Sequence, residues 1–201
     1  MSLRFFRSMA LCVVAAGAFT VFSGCASSPD AEATVASMNT FGVELAKVKD
    51  SIDDAVKALE AVVGTEASDI RVNFDAYTKS VAALDRQAQV VRKRAEEMRT
   101  MGDEFFKEWE PENVSPERRT ELTASYASIQ EDTTLAKEQF TPFLQALKDI
   151  ESYLALDLSL TGIKSMGELT KKAKDNGAKV KTSIDAALVQ VNSVRGMLST
   201  K

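Results

Sequence analysis

Four ladders of apolar residues predict an all-α fold, an elongated antiparallel bundle of four long helices behind an N-terminal export signal. Two further observations support that class. No stretch of useful length alternates polar and apolar residues with a period of two, which removes the usual strand signal. The chain has only four prolines and nine glycines, so long uninterrupted elements are expected, and its 7% aromatic content suits helices better than a β-sandwich.

The first residues stand apart from the bundle. Arg4 and Arg7 give a positive start, Met9 to Val21 carries no charge, and the small residues Ser23-Gly24 precede Cys25. This is the charged, apolar, small order of a secretory signal. The apolar run is shorter than the roughly 20 residues a spanning helix needs. Phe22-Ser23-Gly24-Cys25 resembles the bacterial lipobox, with Phe22 where Leu is more usual. The resemblance implies cleavage before Cys25, a diacylglyceryl group on its sulfur and an acyl group on the new amine. Several chains on one residue anchor a protein stably where one chain does not. The expected division is therefore 1–24 signal peptide, 25–33 lipidated cysteine and short tether, and 34–201 helical bundle. Ala26 after the cysteine resembles lipoproteins kept at the periplasmic face of the outer membrane. Cys12 leaves with the signal, so the mature chain forms no disulfide despite export.

The first ladder runs Met38, Phe41, Leu45, Val48, Ile52, Ala55, Leu59, Val62. The second is Ile70, Phe74, Tyr77, Val81, Leu84, Ala88, Val91, Ala95, Met98, Gly102, Phe105, Trp109. The third is Leu122, Tyr126, Ile129, Thr133, Ala136, Phe140, Phe143, Leu147, Ile150, Leu154. The fourth is Val180, Ile184, Ala187, Val191, Val194, Leu198, with a weaker lead-in from Met166. Steps of three and four keep one seam of each helix facing its partners, in the manner of a coiled coil.

The breaks have their own chemistry. Gly64 suits a left-handed cap at the end of the first helix, and Ser68 can cap the second. Glu110-Pro111 stops the second helix, since proline disfavours helical geometry in the residue before it. Ser115-Pro116-Glu117 supplies a capping hydroxyl, a proline at the first helical position and an acid at the positive helix end. Asp157 to Gly162 makes the last break, and Ser165 with Glu168 has the spacing of a capping box.

Short connections between long helices imply antiparallel neighbours. Residues 26–67 hold eight acidic and three basic side chains, while residues 160–201 hold three acidic and eight basic. Opposite signs fit the first and last helices packed side by side.

Phe105-Phe106-Lys107-Glu108-Trp109-Glu110, Pro142-Phe143-Leu144-Gln145-Ala146-Leu147-Lys148-Asp149 and Tyr153-Leu154-Ala155-Leu156-Asp157-Leu158-Ser159-Leu160-Thr161-Gly162-Ile163 resemble the domain of unknown function 2959 family. The resemblance covers most of the mature chain. It implies an envelope lipoprotein with a helical, coiled-coil-like domain, and carries no activity with it.

Catalytic chemistry finds little support. The chain has no histidine, which removes the usual general base and the Ser-His and Cys-His pairs. With Cys25 lipidated, no zinc site of common type assembles. No loop alternates acids with glycine as a Ca²⁺ loop does, and no glycine-rich phosphate loop occurs. The expectation is no catalytic residue, no metal site and no cofactor. Removing residues 1–24 leaves 23 basic and 29 acidic residues, a net charge of −6, which speaks against nucleic acid as a partner.

Three features stand out from the ladders. Phe106 lies off the seam among Phe105 and Trp109, where it could touch a membrane or partner, though ordinary core capping accounts for the cluster. Pro142 deletes a backbone hydrogen bond mid-helix, either as a tolerated bend or as a kink opening a groove between the third and fourth helices. The basic runs Arg92-Lys93-Arg94 and Lys171-Lys172-Lys174 read as solvated, helix-pairing surface, with anionic lipid or cell-wall polymer as the other option. The expected role is a non-enzymatic structural or interaction bundle, held to its membrane through lipid on Cys25. Its partner would be an envelope protein or the cell wall, and a homo-oligomer is compatible. The alternative is a carrier of a lipid or other apolar ligand between the helices. A carrier needs a persistent cavity, for which the small seam residues Ala88, Ala95, Gly102 and Ala136 leave room; an interaction bundle is packed solid.

Overall fold

The computed structural model describes residues 31–65, 69–109 and 114–199. The signal at 1–24, Cys25, Ser68 and Glu110-Pro111 lie outside the described residues. Five helices follow in order: α1 Ala31–Val63, α2 Ile70–Glu108, α3 Pro116–Leu156, α4 Leu160–Ser165 and α5 Gly167–Ser199. Among the described residues there is no strand. The fold is all-α, as the ladders predict. α1 begins at Ala31, so the last residues of the expected 25–33 tether are already helical.

The long helices form a ring in which α1 packs on α2 and α5, and α3 on α5 and α2. The ladders are its core. Every first-ladder residue from Met38 to Val62 is buried, as are Leu84, Phe143, Leu147 and Ile150 further along. Each fully buried side chain of this size contributes roughly 1.5–3 kcal/mol. Among the described residues the buried core runs from Met38 to Val194, with Met197 and Leu198 packed against it, so residues 26–201 contain every described core position.

The charge asymmetry between the first and last helices becomes a set of ion pairs. Lys49 meets Asp185 at 2.5 Å, Lys181 meets Asp53 at 2.5 Å, and Lys174 pairs with Glu60. Each forward step on α1 is matched by an equal backward step on α5, which is the register of antiparallel neighbours.

The breaks follow local chemistry, with two corrections. The Ser115 hydroxyl accepts a hydrogen bond from the Arg118 amide, and Pro116 is the first residue of α3. α1 stops before Gly64, whose amide donates to the Glu60 carbonyl at 2.9 Å. Gly64 does not adopt a left-handed conformation there: the turn continues past it, with the Thr65 amide donating to the Val62 carbonyl at 3.4 Å. The fourth ladder is also preceded by a separate short helix. Ser159 caps α4 by accepting from the Gly162 amide at 3.1 Å. Ser165 does not form the expected capping box: its hydroxyl donates to the Gly162 carbonyl at 2.6 Å and is thereby occupied. Gly162 is required at this corner, since a methyl group would overlap the Asp157 carbonyl.

Candidate functional site

The second ladder passes through Ala88, Val91 and Ala95 where it elsewhere carries Phe74, Tyr77, Leu84 and Met98. The third passes through Thr133 and Ala136 in the facing stretch. Small side chains on both walls leave the space between α2 and α3 underfilled. Val91, Ala95 and Thr133 are only half-buried, while their ladder neighbours Leu84, Met98 and Ile129 are buried. Correspondingly, α2 and α3 are the least extensively packed of the four long-helix neighbours.

Two latches tie α2 to α3 on either side of the gap. At one end the Tyr126 hydroxyl donates toward the Asp103 carboxylate (2.8 Å) and the Arg99 carbonyl (3.0 Å), and the Gln130 amide donates to the same carboxylate (2.8 Å). The Tyr126 ring stacks on Phe106, with centroids 4.5 Å apart. At the other end Lys148 donates to Asp85 (2.7 Å), and the buried Tyr77 hydroxyl donates to the Leu147 carbonyl (2.7 Å). Burial first, with Asp103 or Glu151 nearby, raises the phenol pKa of both tyrosines, so they remain donors. The Lys148 hydrogen bond holds the Asp85 carboxyl below its usual range.

Between the latches lies a groove of about 460 Å³, within the roughly 300–1,000 Å³ typical of small-ligand sites. Its floor is apolar. Leu45 and Val48 of α1 and Val180 and Ile184 of α5 reach it from behind, with Phe140 and Met98 at its sides. Its rim carries Arg92, Glu96 and Arg99 from α2 and Lys137 from α3, all exposed. The Thr133 hydroxyl lies at this groove, buried and without a hydrogen-bond partner in the chain. Neighbouring Thr134 and Thr141 instead donate back to carbonyls one turn earlier.

The other singled-out residues find ordinary places. Phe106 is half-buried against Tyr126 and packs with Phe105 and Trp109. Pro142 is exposed, and α3 runs through it unbroken. The groove therefore does not lie between α3 and α5, where a Pro142 kink would place it: those helices pack extensively, and the opening is on the α2 side. Of the small seam residues, Ala88, Ala95 and Ala136 line the groove. Gly102 does not, because the Tyr126 ring fills its place. Arg94 and Lys93 pair with Glu97, and Lys174 with Glu60. Thr133 stands on the third ladder among apolar residues, and its buried, unpartnered hydroxyl at the groove is what the sequence did not predict.

Among the described residues, no group of three or more Cys, His, Asp and Glu side chains is placed to hold a metal ion. No helix there is long and apolar enough to cross a membrane. No curated protein and no solved structure matches the chain. Over residues 32–195 it matches the family described as protein of unknown function (DUF2959), and the chain belongs to that family.

Proposed function

We propose that the protein is a lipid-anchored, non-enzymatic bundle of the bacterial envelope that carries an apolar ligand in the α2–α3 groove. The groove is the observation that carries this reading. A bundle serving only as a scaffold gains nothing from three half-exposed seam residues, whereas a carrier needs such a cleft. The anchor rests on the residues before and at Cys25, and the absence of catalysis on a chain without histidine. Recovering the lipidated protein from its native envelope and identifying bound lipids by mass spectrometry tests the reading. One apolar molecule per chain, lost in an Ala95→Phe variant that blocks the groove, is the expected result. A ligand-free protein, or ligand retained in that variant, overturns it.

A second reading, contact with an envelope protein, is favoured by the α3–α4 corner. There Leu156 is 89% exposed, beside the exposed Tyr153 and Leu160. This corner lies at the end of the bundle away from the start of α1, within reach of partners beyond the anchoring membrane. Loss of a co-purified protein in Leu156→Ser, with the groove ligand retained, separates this reading from the first.

A further inference from the structure

We propose that the α2–α3 groove takes a single-chain amphiphile with an anionic head, its tail along the apolar floor and its head at Arg92, Arg99 and Lys137. The inference rests on the carrier reading and adds the shape and charge of the ligand.

The shape follows from the latches. From Ala88 to Arg99 the open stretch of α2 spans about 17 Å at the helical rise. A volume of about 460 Å³ drawn out along that length is a narrow trough. It suits one extended chain rather than a fused ring system.

The charge follows from the rim. Arg92 and Arg99 are separated by two helical turns on one face of α2, and Lys137 stands across the mouth on α3. Among the described residues none of the three forms an ion pair, although interhelical charges elsewhere are paired. The register sharpens the contrast. Asp103 meets Gln130 and Asp85 meets Lys148, so α2 and α3 run antiparallel with matching rungs. Counting eleven residues forward from Asp85 and eleven back from Lys148 brings Glu96 opposite Lys137. That rung has the right charges, yet no Glu96–Lys137 ion pair forms among the described residues, and both side chains line the groove. Among the residues lining the groove, three cations stand against one carboxylate, with Asp85 and Asp103 tied to Lys148 and Tyr126 at its ends, and the Thr133 hydroxyl has no partner among the described residues. An anionic head meets both; a cationic head meets repulsion. A soluble anionic polymer would use the rim and leave the apolar floor empty.

The test uses residues 26–201 and three probes below their micelle thresholds: dodecanoate, dodecyl glucoside and dodecyltrimethylammonium. Acetate serves as a head without a tail, and calorimetry reads the binding. Dodecanoate is expected to bind one per chain and more tightly than the other two, with acetate not binding. Arg92→Glu combined with Lys137→Glu is expected to weaken dodecanoate by at least about tenfold and to improve dodecyltrimethylammonium. Ala95→Phe, or Thr133→Phe from the opposite wall, removes binding of all three tails; circular dichroism identifies which variant is folded. Equal binding of the three heads, unaffected by charge reversal, overturns the anionic-head assignment while leaving the carrier reading intact. Failure of every tail to bind, or binding that survives both blocking variants, overturns the two together. Binding of acetate alone shows an anion site without a tail channel and overturns the proposal.

Discussion

The ring of Tyr126 lies on α2 where a side chain at Gly102 would be: a methyl group at 102 would overlap the tyrosine hydroxyl. Glycine in mid-helix costs about 1 kcal/mol relative to alanine, yet here it lets a phenol reach the Arg99 carbonyl and the Asp103 carboxylate. That contact closes one end of the groove.

Gly102→Ala should therefore destabilise the bundle despite its better helix propensity. Overpacking costs about 1–3 kcal/mol, which exceeds the propensity gain. Tyr126→Phe keeps the ring carbons in the methyl's place and loses about 1 kcal/mol of hydrogen bonding. In Tyr126→Ala the overlap is gone, so adding Gly102→Ala to that background should be neutral or stabilising. Urea unfolding of the four proteins reads the coupling, and additive effects would show that the two residues do not touch.

At the other end of the groove the stability depends on pH. The Lys148 hydrogen bond lowers the Asp85 pKa in the folded state from its ordinary 3.8. A depressed carboxyl contributes stability that is complete above the unfolded value, about 4, and is lost as pH falls through the folded one. Glu44 is lowered by Lys47 and Gln87 of the neighbouring helix, and Glu117 by its own amide and Ser115. All three act in the same direction. Asp85→Asn should be less stable than the parent near neutrality and should lose less on acidification to about pH 3. Parallel urea midpoints across that range would remove Asp85 from the account.

The ion pairs between α1 and α5 should be interchangeable in sign. Asp53→Lys and Lys181→Asp each place like charges together, while the double variant restores a pair in the same register. A coupling of about 0.2–1 kcal/mol is typical of exposed pairs, shrinking with added salt. A double variant no better than its two singles would mean that the register is different.

The anchor makes its own prediction. Cys25→Ser should leave a chain that is neither acylated nor held by the membrane, since the sulfur is the attachment point implied by Phe22-Ser23-Gly24-Cys25. Mass spectrometry of the mature N-terminus decides. An unmodified Cys25 in the parent, or cleavage elsewhere, would sink the idea.

The ladders made the bundle legible because core helices repeat one instruction every three or four residues. Helix adjacency was legible too, in the opposed charges that became Lys49–Asp185 and Lys181–Asp53. The groove was half legible. Ala88, Ala95 and Ala136 marked loose rungs, but small residues serve close packing and open space equally well. What decides between them is how the flanking rungs are tied, by Tyr126 to Asp103 and by Lys148 to Asp85, which the alanines themselves do not state. Gly102, with the same signature, proved to be filled. Pro142 pointed to the wrong pair of helices because a missing hydrogen bond does not say which neighbour gives way. The six-residue α4 was hidden because one turn carries no periodicity.

Seam and surface positions should differ sharply in their tolerance of a carboxylate, and Pro142 bears on both stability and the groove. Leu84 is fully buried, so Leu84→Asp places an unpaired carboxylate in the core at a cost of several kcal/mol. That is comparable with a domain's whole stability of about 5–15 kcal/mol. Arg92→Asp changes an exposed side chain with no ion pair among the described residues and should stay within about 0.5 kcal/mol. Thermal melting of residues 26–201 by circular dichroism compares them, and equal melting temperatures would mean that Leu84 is not core. Pro142→Ala should melt higher than the parent, because it returns an amide donor one turn from Glu138 in an exposed, unbroken stretch of α3. Lys137 and Phe140 lie within the turns just before it, on the groove wall. If the bend set by proline keeps that wall back, the stabilised variant should also bind dodecanoate less tightly. A Pro142→Ala chain that melts higher and binds unchanged would show that the two latches alone hold the groove open.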